Sequence, residues 1–260
     1  MSDFVNQTHA LLEKVHNQCV DQIDSLRFDP TANNQLMTVS LYCSLIEYAG
    51  TLLTLSKGQR RTGFSSVFRS FLEGYVDFTN LLKSEDFYYR KEAEYHSQWL
   101  KVLAECKATN PYLMSIAESP DLAAVATHHK KELEALEDKG HKPIQVIESF
   151  KMADMIEEYQ SLYRFECAEA HNDFRALSKR NVKIDQAGKA SVELYLVPSP
   201  DYYLARLDTT LALLLSATDA MHDKILSKAK DKFATLWEEL HTLRKAQEKS
   251  DPAEKRVAGE

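Results

Sequence analysis

Glycine and proline are scarce in this chain, seven of each in 260 residues. In a helix interior Gly costs roughly 1 kcal/mol against Ala and Pro about 3, so these residues mark where helices stop. With so few of them, most of the chain runs uninterrupted, and apolar residues recur along it at three- and four-residue spacing. The predicted fold is mostly α: an irregular helical bundle with one small β-hairpin.

The first helix runs over 3–26, on Val5, Leu11, Leu12, Val15, Cys19 and Ile23, and Asp29-Pro30 ends it. Asn33 or Asn34 caps a second, through Val39, Leu45, Ile46, Leu52 and Leu53 to Gly58. The basic connector KGQRRTG leads to a third helix, Thr62 to Lys83, and Ser84 starts a fourth that runs to Thr109. Ser119-Pro120-Asp121 opens a further helix, stopped at Gly140 to Pro143. One long helix then spans Phe150 to Lys179. Val182-Ile184 and Val192-Leu194-Leu196 alternate around Gln186-Ala187-Gly188-Lys189 as a hairpin, and a last helix reaches Gln247. The reading is a single helical-bundle domain, 1–248, with a disordered tail, 249–260.

A net charge of −7 argues against a nucleic-acid surface covering the whole protein, though not against a local basic patch. Two basic connectors stand out, Lys57-Arg60-Arg61 and Lys179-Arg180-Lys183, which would flank one end of the bundle if the helices between them pack antiparallel. Cys19, Cys43, Cys106 and Cys167 are 24, 63 and 61 residues apart, which fits no zinc module; they read as reduced, buried thiols. The polar N-terminus has no signal-like apolar region, and the apolar run Leu211–Ala217 is too short to cross a bilayer. A cytoplasmic protein without a membrane partner is the expectation.

The segment YRFECAEAHNDFRAL, 163–177, concentrates the polar chemistry. On an ideal helix, Met155, Tyr159, Leu162, Tyr163, Ala170, Phe174 and Leu177 form one apolar arc. Glu166 falls inside that arc, where a carboxylate needs a partner. Arg164 and His171, seven apart, share the opposite face. In the third helix Arg69 and Glu73 stand four apart. They form either a plain surface ion pair or a buried Arg69–Glu73–Glu166 network. Asp219/His222, Glu238/His241 and Glu92/His96 have the acid–histidine spacings of di-metal bundles, but lack matching ligands on other helices. They read as solvated faces, as do His128 and His129, so no metal and no cofactor is expected.

The Arg69-x3-Glu73 and Tyr163-x7-His171 patterns, followed by an irregular stretch and a final long helix, resemble an uncharacterised bacterial all-α family, a domain of unknown function. That resemblance implies a fold and a polar site, with no reaction attached. Arg164-FECAEA-His171 also resembles the Arg-x4–6-His motif of the HEPN superfamily of helical ribonucleases, apart from Phe165, where the motif has a polar residue. This second resemblance implies a homodimer acting on RNA. His171 would be its acid/base, Arg164 its phosphate clamp, and Arg69, Glu73, Glu166, Tyr163 and Asn172 the supporting residues. The alternative is a non-catalytic interaction or scaffold protein whose polar residues form a structural network.

Overall fold

The computed structural model describes residues 3–106, 110–225, 227 and 229–250. The chain divides into two compact units, one formed by Met1–Thr79 with Met155–Glu260, the other by Asn80–Asp154.

In the first unit α1 (Asp3–Gln22), α2 (Asn33–Lys57), α11 (Pro200–Lys224) and α12 (Ala234–Ser250) carry the core. Helix α1 packs on α2, α11 and α12, and α2 packs on α11. The contact faces on α1 and α2 are the predicted stripes, Val5, Leu12, Val15 and Cys19 on α1 and Leu45 and Leu52 on α2, and they meet Leu207, Leu211, Leu214 and Leu215 on α11. Each such side chain fully withdrawn from water contributes roughly 1.5–3 kcal/mol. Some of the polar atoms within this core are paired through Thr218. The Tyr42 hydroxyl donates to Thr218 Oγ1 at 3.1 Å, and Thr218 Oγ1 donates to the Leu214 carbonyl at 2.7 Å. Helix α2 has the length and apolarity of a membrane-crossing segment, which the short-run criterion missed. Val39, Leu45, Ile46, Leu52 and Leu53 of this helix are core-packed, while Leu36 and Met37 near its start are exposed.

Helix α3 (Phe64–Lys83) brings Phe64, Phe68, Phe71 and Leu72 into the same core. Phe64 meets the Tyr203 ring edge-on at 5.2 Å, and Tyr75 bonds Ser216 at 3.0 Å.

In the second unit α4 (Glu85–Ala104) and α6 (Leu122–Asp138) pack along one another, with α5 (Met114–Ala117) and α7 (Val146–Met152) beside them. Ser84 caps α4 by accepting from Asp86 N. Asn80 Nδ2 donates to the Ser149 carbonyl at 2.8 Å.

The predicted long helix over 150–179 is in fact broken twice. After α7, Asp154 takes a left-handed φ of 63°, and a short α8 (Ile156–Glu158) passes into a π-helical turn, Tyr159–Tyr163. Helix α9 (Arg164–Ala170) ends at His171, and Asn172 is left-handed at φ 55°. Asp173 then caps α10 (Phe174–Asn181) by accepting from Arg175 N at 2.9 Å. Asp and Asn tolerate the left-handed region better than other residues with side chains. The predicted last helix is likewise two, α11 and α12, with a break between Lys224 and Ala234.

The hairpin forms with β1 (Val182–Ile184) and β2 (Ala190–Val192) antiparallel, Val182 opposite Val192. Asp185 Oδ1 accepts from the amides of Ala187 and Lys189, both at 2.9 Å, and Gly188 supplies the positive φ of the turn. Leu194 and Leu196 lie beyond the second strand. Of the predicted tail, Lys249 and Ser250 belong to α12; 251–260 lie outside the described residues. All four cysteines are free, but only Cys19 is buried; Cys43, Cys106 and Cys167 are half-exposed.

Candidate functional site

Four predicted residues converge. Arg69 on α3 donates from Nε to Glu73 Oε1 at 3.0 Å and to the Tyr163 hydroxyl at 3.2 Å. Its Nη1 lies 3.1 Å from His171 Nε2. The Tyr163 hydroxyl donates to Glu73 Oε1, closing the ring of contacts. A guanidinium offers only donors, so His171 Nε2 is the acceptor and the imidazole proton sits on Nδ1. Burial, together with the Glu73 carboxylate, pushes the Tyr163 phenol well above the ordinary tyrosine range, so it remains a protonated donor. Burial works against the charge of Arg69, but the Tyr163 and Glu73 contacts outweigh it and raise the guanidinium.

The π turn re-aims α9 as a whole, turning Arg164 and His171 together. One extra residue per turn rotates the residues downstream of it by about 100° relative to an ideal helix. Tyr163, at the end of that turn, is buried beside Arg69. Arg164 and His171, drawn together by the ideal wheel, are separated in role. His171 is exposed at the C-terminus of α9 against Arg69, while Arg164 lines a different surface.

Glu166 is fully buried, and the predicted Arg69–Glu73–Glu166 network does not form. Its partner is Arg206 of α11, with Nε at 2.8 Å and Nη2 at 2.7 Å, both from Oε1. Arg206 also donates to the Tyr202 carbonyl at 2.7 Å, and its guanidinium lies 4.2 Å from the Tyr202 ring centre. Asn172 accepts from Arg180 Nη1 at 2.9 Å, and Arg180 Nη2 donates to the Glu169 carbonyl at 2.7 Å. Asn172 therefore shapes the α9–α10 corner and does not join the Arg69 cluster.

Beside this corner is a cleft of about 550 Å³. Arg61, Arg164, Arg175, Lys179 and Arg206 line it, with Glu169, Asp173, Phe165 and Tyr202. The two basic connectors do meet here: Arg61 Nη1 donates to the Lys179 carbonyl at 2.9 Å, and Arg61 Nη2 binds Glu169 at 2.9 Å. Arg175 and Arg206 went unflagged in the sequence. Arg175 is four residues before Lys179, so the pair shares one face of α10, a signal that the ideal long helix obscured.

In the second unit His96 and His129 are buried, contrary to the solvated reading. Their Nδ1 atoms lie 2.8 Å apart, so one donates and the other accepts. Trp99 stacks on His129 with ring centres 5.7 Å apart. Among the described residues no three His, Cys, Asp or Glu side chains gather in a way that could hold a metal ion.

Fold and site together define a mostly α protein in which an Arg–Glu–Tyr–His cluster is built at a helix corner, next in the chain to a cationic cleft. Residues 35–189 match the sequence model of a family of unknown function, DUF5677, and the chain belongs to that family. The matched segment carries Arg69, Glu73, Tyr163 and His171; Arg206 lies beyond it. Searches of curated proteins and of solved structures find no match to the chain.

Proposed function

We propose that the first unit is a HEPN-like, metal-independent ribonuclease with His171 as its acid/base. The observation that carries this reading is the 3.1 Å approach of Arg69 Nη1 to an exposed His171 Nε2. Imidazole is the side chain suited to moving protons near neutral pH, and guanidinium is a fixed fork for phosphate oxygens. A phosphate oxygen is a stronger acceptor than imidazole and would draw Nη1 to itself. Nε2 is then free to take the proton of a ribose 2′-hydroxyl. The 2′-oxygen attacks phosphorus, the P–O5′ bond breaks, and the imidazolium returns its proton to the 5′-oxygen. Arg69 takes the role first given to Arg164, and Tyr163 and Glu73 hold Arg69 in place.

Incubation of end-labelled RNA with the purified protein should give products ending in a 2′,3′-cyclic phosphate, unchanged by chelator. His171→Ala and Arg69→Ala should each lower the rate by about a hundredfold or more. If wild type cuts no RNA while His171→Ala melts well below it, His171 is structural and this reading is dropped.

One observation favours a second reading, a non-catalytic interaction protein. Phe174, Ile184, Val192, Leu194 and Tyr195 are 84, 68, 81, 76 and 71% exposed in one stretch around the hairpin. A lone two-stranded hairpin is marginal without a cover, and large apolar surface of this kind marks contact sites. Sedimentation of wild type against a Val192→Lys/Leu194→Lys variant decides whether a second copy supplies that cover.

A further inference from the structure

We infer that the cleft between α9, α10 and the start of α11 is a binding site for single-stranded nucleic acid, its phosphates held by Arg164, Arg175 and Lys179. This deepens the ribonuclease reading by naming how its substrate is held, but it stands on separate residues.

The argument begins with charge. Five cations line the cleft in a chain whose net charge is −7. Two of them are already neutralised within the fold, Arg61 by Glu169 at 2.9 Å and Arg206 by Glu166 at 2.7 Å. Those pairs, cross-braced by Tyr202, form the wall: Arg61 and Arg206 lie 4.7 and 4.2 Å from the Tyr202 ring centre, and the Tyr202 hydroxyl bonds Ser65 at 2.9 Å. The other three are different. Arg164, Arg175 and Lys179 are exposed, and among the described residues none has an ion-pair partner. The fold brings three like charges to one concavity whose lining holds, besides Glu169, one carboxylate, Asp173, and Asp173 accepts from Arg175 N in capping α10. Like charges that gather without partners repel, and an anion entering the cleft relieves that repulsion.

The shape and lining choose among anions. A volume of about 550 Å³ exceeds what a lone phosphate fills and suits one or two nucleotides. Phe165, 64% exposed, stands within the lining as an apolar face open to solvent, the kind of surface on which an unpaired base stacks. At the position after Arg164, where the ribonuclease motif has a polar residue, an aromatic gives this chain a stacking platform. Stacking of this kind requires a base out of its duplex, so the cleft discriminates against double strands. His171 itself does not line the cleft, but it stands in the chain between two residues that do, Glu169 and Asp173.

The test separates binding from cleavage by using a probe that cannot be cut. Fluorescent oligothymidylate of about twelve nucleotides has the phosphates and bases but no 2′-hydroxyl, and its anisotropy is titrated with full-length wild type. A 2′-O-methyl oligouridine of the same length reports any preference for an RNA-like sugar. We expect saturable binding with log K falling against log salt at a slope of about −2, as three phosphate contacts require. Arg175→Glu with Lys179→Glu should abolish most of that binding and its salt dependence. Phe165→Ala should weaken it roughly tenfold with the slope unchanged. The same sequence as a duplex should bind more weakly. All three positions of substitution are exposed, and unchanged melting curves would exclude unfolding as the cause. Absence of binding, binding indifferent to the α10 charge reversal, or equal affinity for the duplex would each overturn the inference. Binding that behaves as expected in a protein that cuts no RNA would leave the cleft standing and remove the ribonuclease reading. RNA cleavage by a protein that fails these binding tests would do the reverse.

Discussion

Arg206 holds Glu166 by two donors on one oxygen, Nε and Nη2, while the carboxylate's other oxygen has no partner among the described residues. Glu166 is fully buried, and Arg206 is largely so. Truncating one member of such a pair leaves the other charge desolvated and uncompensated, which costs more than the pair itself is worth. Glu166→Ala should therefore destabilise the protein by about 3 kcal/mol, a fall of roughly 6–12 °C in melting temperature. Glu166→Gln, which keeps an acceptor for the guanidinium, should cost less. A Glu166→Ala protein melting with wild type would show that Arg206 escapes to solvent when released.

Acid should unfold this protein early. Burial holds His9, His129 and His222 below the ordinary histidine value, with Lys57 adding to the effect at His9, and His96 and His128 at His129. Among the described residues His222 has no partner on either ring nitrogen. In the unfolded chain all three titrate near pH 6.5. Below that pH the unfolded chain takes up protons that the folded chain refuses, so acid favours unfolding. Stability is intact above about pH 6.5 and declines as pH falls through and below it. Urea midpoints should drop between about pH 7.5 and about pH 5.5, and His222→Phe should flatten that dependence. A midpoint that holds level across this range would contradict the assignment.

Gly50 lies inside α2, where it weakens the helix relative to Ala by roughly 0.5–1 kcal/mol. A methyl group there would come within 2.7 Å of His16 Nε2, the far end of a half-exposed side chain. An imidazole with access to solvent can swing aside at small cost. Gly50→Ala should raise the melting temperature by about 1–4 °C. A decrease would mean that His16 is held more firmly between α1 and α2 than its exposure implies.

The fold class was legible because core stripes depend on local spacing, and Val5, Leu12 and Val15 or Leu207, Leu211 and Leu214 keep that spacing whatever surrounds them. The breaks at Asp154 and Asn172 were not legible, because both residues also occur in ordinary helices and only tertiary contacts force them left-handed. That error carried into the site. The ideal wheel ran one helix on to Lys179, whereas α9 stops at His171, which meets Arg69 while Arg164 lines the cleft. Glu166 was recognised as needing a partner from its place among apolar residues. Its partner was misassigned because Arg206 lies forty positions away on α11, a pairing that no periodicity can reveal. Arg69 and Glu73, by contrast, were tied to each other by four-residue spacing, and their link to Tyr163 and His171 required the folded chain.

The Arg69 cluster should behave as one unit. Tyr163 donates to Glu73 and accepts from Arg69, and Arg69 donates to Glu73 as well, so removing either acceptor alters the contacts of the other two. Tyr163→Phe removes one hydroxyl and should cost about 1 kcal/mol. Glu73→Gln removes the charge that Arg69 faces and should cost about as much, since the group is only partly screened from water. If the three side chains acted independently, the double variant would lose the sum. In a shared network the second substitution finds part of its interaction already gone, and the double variant should lose less than the sum by roughly 0.5–1 kcal/mol. Urea denaturation of wild type, both single variants and the double variant measures this directly. Strict additivity would reduce the cluster to an ion pair with a tyrosine beside it, and would remove the physical basis for holding Arg69 at His171.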